Sequence, residues 1–147
     1  MLLVERAFNL LLQGSTDVTA LVSNRIYSGF APQTVTLPAL THRVESRGHI
    51  YALQGSCGLR ESRFRLFSAA RQYDEAKALD EAVRMSIDGY RGIVSDSASP
   101  PDTLQIQFIR CVFSHDSYED GNLTSSGSKV FEIVTDYEVT AHEEVPD

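Results

Sequence analysis

The sequence predicts an α+β fold: an antiparallel sheet of about four strands, one long helix packed on one face, and an N-terminal helical segment, in the order α-α-β-β-α-β-β. Three observations carry this. Residues 73–91 place Ala76, Leu79, Val83, Ile87 and Tyr90 at steps of three and four, one continuous apolar stripe. Near 129–141, Phe131, Ile133, Tyr137 and Val139 alternate with Glu132, Asp136 and Glu138 at a period of two, the pattern of a sheet with one wet face. Two strand-like segments precede the long helix and two follow it, so the helix covers the apolar face of an antiparallel sheet.

Each element has a local reason. Residues 2–12 carry Leu3, Ala7, Leu10 and Leu11 at helical spacing, with Glu5, Arg6 and Asn9 elsewhere on the wheel. Gly14 ends that helix, and Ser15 or Thr16 caps a second short one through Leu21. Asn24 tolerates the left-handed conformation that terminates helices. Pro32 and Pro38 push Ala31 and Leu37 toward extended geometry, and Pro38 can open a strand because its first residue needs no ladder donor. A strand near 38–47 follows, with Leu40 and Val44 on one face and Thr41, Arg43 and Glu45 opposite. Gly48 to Gly58 reads as a turn-rich connection. A strand near 59–68 sets Phe64 and Leu66 against Arg63, Arg65 and Phe67. The helix at 73–91 turns Asp74, Glu75, Lys77, Asp80, Glu81, Arg84 and Asp88 to solvent and ends at Gly89 or Gly92. Ser95 to Thr103, with Pro100-Pro101, is a loop. Long strands near 104–116 and 129–141 close the chain. Between them Tyr118 to Ser128 holds Asp120-Gly121 and Ser125-Ser126-Gly127, suited to a protruding hairpin loop.

The length of 147 residues suits one domain, 1–147, that buries roughly two-thirds of its unfolded surface. Within it we expect N-terminal helices over 1–23, sheet and long helix over 38–141, and a mobile hairpin loop over 118–128. The net charge of −7 argues against a free nucleic-acid-binding surface. No apolar run approaches membrane-spanning length, and Glu5 and Arg6 interrupt the opening Met-Leu-Leu-Val too early for a secretory signal. Cys57 and Cys111 lie far apart without metal-ligand spacing, as expected of free thiols in a reducing cytoplasm. The glycosylation pattern Asn122-Leu123-Thr124 means nothing without secretion.

Chemistry-bearing patterns are weak. Ser114-His115-Asp116 holds the residue types of a hydrolase triad, but neighbours on a strand point to opposite faces and cannot converge on one atom. Asp116, Asp120 and Gly121 suggest a calcium loop, yet Tyr118 stands where an Asp or Asn belongs and Gly127 replaces the closing Glu. His42, His49, His115 and His142 lack metal-site spacing, and no phosphate-cradling glycine loop is present. Arg60, Arg63 and Arg65 suit either a phosphate-contacting strand or cross-strand ion pairing and a subunit contact. Glu61 interrupts them, and only Arg63 and Arg65 share a face, which favours pairing. The expectation is a protein without catalytic residues, cofactor or metal.

Three segments together resemble the small tail-completion, or tail-terminator, proteins of long-tailed phages. They are Asn24-Arg25-Ile26-Tyr27 with Pro32-Gln33 and Leu37-Pro38-Ala39-Leu40; Arg63-Phe64-Arg65-Leu66 leading to Ser68-Ala69; and Tyr73-Asp74-Glu75-Ala76 through Leu79, Ala82-Val83-Arg84 and Gly89-Tyr90-Arg91-Gly92. Order and spacing fit from residue 1 to about 140. The family has a more aromatic strand after the proline, where this chain has Thr41-His42. The resemblance implies a structural virion protein, with no active residues, that caps the head-proximal end of the tail tube as a homohexameric ring. Its implied partners are other copies of itself, the tail tube protein, and a head connector, adaptor or stopper; DNA only passes through the lumen, and no membrane is involved. It implies residence in the virion neck after assembly in the host cytoplasm. Arg25, Tyr27, Arg63, Arg65, Asp120 and Asn122 are the candidate subunit or partner contacts. The alternatives are a head-completion or connector-adaptor ring protein, and a small α+β ligand-binding or hydrolytic domain using His42 or His115.

Overall fold

The computed structural model describes residues 1–32, 34–53, 55–119 and 130–143. Along the chain run α1 (Val4–Gln13), α2 (Thr16–Val22), β1 (Ile26–Ser28), β2 (Ala39–Ala52), β3 (Gly55–Ala70), α3 (Tyr73–Ile87), β4 (Gly92–Ser95), β5 (Thr103–Glu119) and β6 (Val130–His142). The strands form one sheet in the order β1-β2-β3-β6-β5-β4. β1 runs parallel to β2, and every other neighbouring pair is antiparallel. The α+β class stands, with the two N-terminal helices and the long helix in the expected order, but with six strands in place of the expected four. The two additional strands, β1 and β4, have three and four residues, too few for an alternation to show in sequence.

Local signals act largely as expected. Ser15 caps α2, its Oγ accepting from the Val18 amide at 3.4 Å. Gly89, at φ +83, turns the chain after α3 and donates its amide to the Ile109 carbonyl at 2.7 Å. Two expectations shift. The left-handed residue after α2 is Ser23, at φ +54, one position before Asn24. α1 is also rotated: it buries Val4, Ala7, Phe8 and Leu12, while Leu3, at the N-cap, is 68% exposed. Phe8, the bulkiest side chain on the helix, takes the centre of the buried face because it removes the most apolar surface from water.

The larger correction concerns residues 48–58. They do not form a loose connection; β2 and β3 continue through them as one hairpin, paired from Ala39↔Ala69 out to Ala52↔Gly55. The glycines that suggested a turn are absorbed by a bulge and the hairpin end: Gly58 has φ +74 and Gly55 φ +123. A further bulge leaves Glu45 without an opposite residue between the Val44↔Phe64 and Ser46↔Arg63 pairs.

All three helices cover one face of the sheet. Phe8 stacks on His42 (centroids 5.3 Å apart, interplanar angle 11°) and meets Phe64 edge-on at 4.4 Å. Tyr137 closes the same cluster from β6, 6.3 Å from the Phe8 ring. Leu79, Val83 and Ile87 of α3 join this core, as their spacing predicts. Each aromatic contact adds about 0.5–1.5 kcal/mol beyond area burial.

Candidate subunit-contact surfaces

Among the described residues the opposite sheet face carries no helix, and it is built from a charged ladder. Alternation along β3 sends Arg63 and Arg65 to this face and Phe64 and Leu66 to the core. Register places Asp136 of β6 directly opposite Arg65. Arg65 Nε donates to Asp136 Oδ1 at 3.0 Å, and Arg63 Nε donates to Oδ2 at 3.0 Å. Glu45 lies 3.8 Å from Arg65 and accepts from Arg43 Nε at 2.8 Å. Arg43 also sits over the Phe67 ring, 4.8 Å from its centroid, and Arg110 pairs with Glu138.

The two arginines seal Asp136 to 1% exposure on a face expected to be wet. Burial alone would raise its pKa, but hydrogen bonds from Arg65 and Arg63 outweigh that and hold it below the ordinary carboxylate value. Val134, one step along the same face, is 5% exposed. Sequence reasoning missed Asp136 as the hub because acidic residues alternating with apolar ones read as solvated. Arg60 faces away from this ladder and lines a groove of about 340 Å³ with Met1, Leu104, His142 and Glu143.

Arg25 is engaged within its own chain. Its Nε donates to the Pro38 carbonyl at 2.9 Å, and its carbonyl accepts from the Leu40 amide at 3.0 Å, so it ties the entry of β1 to the start of β2. Tyr27 is half-buried on β1, opposite Thr41. Asp120 and Asn122, with most of the 118–128 loop, lie outside the described residues.

The lateral surfaces differ from the faces. β1 covers only Leu40–His42 of β2, and β4 covers only residues 103–106 of β5. Among the described residues, the outer side of β2 beyond His42 and of β5 beyond Cys111 therefore has no neighbouring strand. Along β5, Val112 is bulged and 39% exposed, and Phe113 is 53% exposed. At one end of the sheet the β2–β3 hairpin outruns its neighbour: β6 reaches only to the Leu59↔His142 pair. Tyr51 at the hairpin tip is 69% exposed, and Leu53 is fully exposed.

The triad-like residues diverge. Ser114 Oγ lies 3.0 Å from Thr135 Oγ1, which donates to Asp80 Oδ1 at 2.6 Å; burial raises the Asp80 pKa. Asp116 accepts from Tyr73 Oη at 2.9 Å and lies 3.5 Å from Lys77 Nζ, fixing the start of α3 to β5. His115 opposes Val134 on the other face, beside Phe113. His42 is sealed under α1, its Nε2 2.9 Å from Asn9 Oδ1 and its Nδ1 without a partner, and burial lowers its pKa to about 4. A buried, stacked imidazole of this kind is placed for packing, not for substrate. Among the described residues no helix is long and apolar enough to cross a membrane.

The family model described as "Tail completion protein gp17" matches residues 9–136. Among solved structures, a chain described as "Virion of native gene transfer agent (GTA) particle" superposes with a TM-score of 0.60. The match covers 95% of this chain and 94% of that one at 12% identity, a likeness of fold. No curated protein sequence matches the chain.

Proposed function

The chain belongs to the tail completion protein gp17 family and is a structural, tail-related phage protein; from this premise we propose that it caps the head-proximal end of the tail tube as a ring and joins it to the head connector. The observation that carries the reading is the pair of unlike open edges on opposite sides of the sheet. From β2 to β3, β6 and β5 there are three antiparallel steps, so the two edge strands run in opposite directions. Antiparallel docking of one copy's β5 edge on the next copy's β2 edge therefore leaves every copy in the same orientation. Such a contact is heterologous and closes as a ring if the rotation between copies is right. Backbone edges are ready templates for strand addition.

The ends of such a ring are unlike. One displays the hairpin tip with Tyr51 and Leu53; the other displays the start of α3 and the strand ends paired at Glu119↔Val130. Unlike ends suit a terminator, which accepts the last tube ring on one side and refuses another on the other. The charged ladder, with its cations and carboxylates already paired, has little net field with which to grip passing DNA. That field fades over roughly 8 Å in physiological salt.

Two experiments test the reading. Immunogold labelling of headless tails is expected to mark one tail tip; label on heads alone would favour a head-completion or adaptor ring instead. Val112→Lys with Phe113→Lys, which blunts the β5 edge as natural edge strands do, is expected to abolish ring-sized particles on tail tubes while the thermal midpoint holds. Unimpaired rings from that variant would remove the edge contact from the mechanism.

A further inference from the structure

We propose that β1 of one copy inserts beside the open stretch of β5 of the next, while β4 of that next copy lies beside the open stretch of β2 of the first. The inference rests on the ring reading and names the strands through which its edges meet: the β5 edge faces the β2 edge across one strand's width, which both copies fill. The two lateral edges are stepped. Through the pairs across β2, β3 and β6, Ile26, Tyr27 and Ser28 of β1 stand level with Asp116, His115 and Ser114 of β5. By the same route Gly92 of β4 stands level with His49 of β2. β1 therefore projects from one edge at the height where the other edge is open along β5. β4 projects from that other edge at the height where β2 is open.

Copies set side by side at equal height, all in one orientation, bring each projection into the facing recess. β1 takes the levels of residues 114–116. Two paired levels further, Asp88 closes the β5 edge, its Oδ1 accepting from the Cys111 amide at 3.1 Å. Beyond it the Gly89 amide donates to the Ile109 carbonyl, the Ile109 amide donates to the Tyr90 carbonyl, and β4 follows from Gly92. The shared column is thus filled along its length without two segments claiming one level. Each copy gives one edge to one neighbour and the unlike edge to the other, which is the condition for a heterologous contact that closes as a ring.

Backbone direction and polarity fit the same register. β1 runs parallel to β2 and therefore against β5, so its insertion makes an antiparallel ladder. β1 turns the Arg25 carbonyl and the Gly29 amide inward to β2, which by alternation turns the peptide groups of Ile26 and Ser28 outward. On β5, Ile109 turns its amide and carbonyl outward, with its side chain in the core. Ser114 and Asp116 carry their side chains to that same covered face and share its outward peptide direction. An antiparallel ladder pairs such residues directly, Ser28 with Ser114 and Ile26 with Asp116. A slip of one residue would set inward groups against outward ones. On the charged face the register places Tyr27 opposite His115 and diagonal to Phe113, which is 53% exposed. It also places Ile93, one step past Gly92 and 63% exposed, beside Ile50, one step past His49. The large apolar side chains left bare at the edges of a single copy thus meet apolar neighbours on the next.

Tyr27 and His115 would form a pair of the non-hydrogen-bonded kind, with Cβ atoms about 5 Å apart, close enough for a disulfide. In a Cys57→Ser, Cys111→Ser background, Tyr27→Cys with His115→Cys is expected to give a covalent ladder up to the full ring when rings assembled on tail tubes are mildly oxidised. Tyr27→Cys with Ser117→Cys, two residues out of register, should give about tenfold less. In the otherwise unsubstituted chain, Ile93→Asp should lower the fraction of rings counted by mass photometry about tenfold. The thermal midpoint of the free chain should hold, because Ile93 lies outside the core. Rings that give no ladder, or undiminished rings from Ile93→Asp, would overturn the shared column and leave the ring standing. Disulfide dimers from either single cysteine variant would overturn it in favour of a symmetric contact. Absence of any ring-sized particle from the unsubstituted chain would overturn the ring reading and this proposal together.

Discussion

The two faces of the sheet are made by the same strands and held by different forces. On the covered face, Phe8, Phe64 and Tyr137 interlock beneath α1, and Leu79, Val83 and Ile87 pack from α3. On the bare face, Arg63, Arg65 and Asp136 lock across two strands, with Arg43, Glu45, Arg110 and Glu138 around them. The covered face derives its stability from apolar area and shape, which act whatever the salt concentration. The bare face derives it from charge, which salt screens and acid removes. One strand can serve both because its side chains alternate.

The largest expected effect breaks the covered face. Phe8→Ala removes the ring that touches His42, Phe64 and Tyr137 and should cost about 3–5 kcal/mol in urea unfolding; a loss under 1 kcal/mol would show that α1 is not integral to the core.

Acid separates the faces. His42 titrates near 6.5 when unfolded and about 4 when folded, so below pH 6.5 the unfolded chain binds a proton that the folded chain refuses. Stability therefore falls as pH drops from about 6.5 to about 4, by about 3 kcal/mol in the limit. Asp136 has a lowered folded pKa, so its contribution is present above the ordinary carboxylate value and is lost further down, as pH falls through that lowered value. His42→Gln should flatten the unfolding free energy between pH 6.5 and 4 and leave the lower limb; an unchanged upper limb would assign that limb to other groups.

The smallest effects lie on the bare face. Asp136→Ala leaves two guanidinium groups without their shared acceptor and should cost about 1–3 kcal/mol. Arg110→Ala, at an exposed pair, should cost about 0–1 kcal/mol and less in 1 M salt. Equal costs for the two would deny that the sealing of Asp136 matters.

How much of this was legible follows from periodicity. α3 and the alternation of β3 read correctly because each has several consecutive repeats of one period. β1 and β4 did not, because three or four residues carry no period. The hairpin arm was hidden by Gly48, Gly55 and Gly58, which suggest turns until the backbone shows Gly55 and Gly58 absorbed at the hairpin end and a bulge. At the candidate contacts, the shared face of Arg63 and Arg65 was readable; Asp136 as their common partner was not, since register between distant strands is a tertiary fact. The open edges are likewise invisible in sequence, because they depend on how far β1 and β4 extend.

The unmatched Glu45 has a consequence of its own. It shifts the pleat by one beat, so Arg47, two positions on, reaches Glu5 of α1 at 2.9 Å while Arg43 stays on the bare side. Trimming that single position would restore a regular ladder, with Ser46 still opposite Arg63, Arg47 still opposite Ser62 and every side chain beyond on its present side. Gains or losses in steps of two between Ser46 and Ile50 would likewise keep each side chain on its own side, whereas a single added residue must be taken up by a further bulge of this kind.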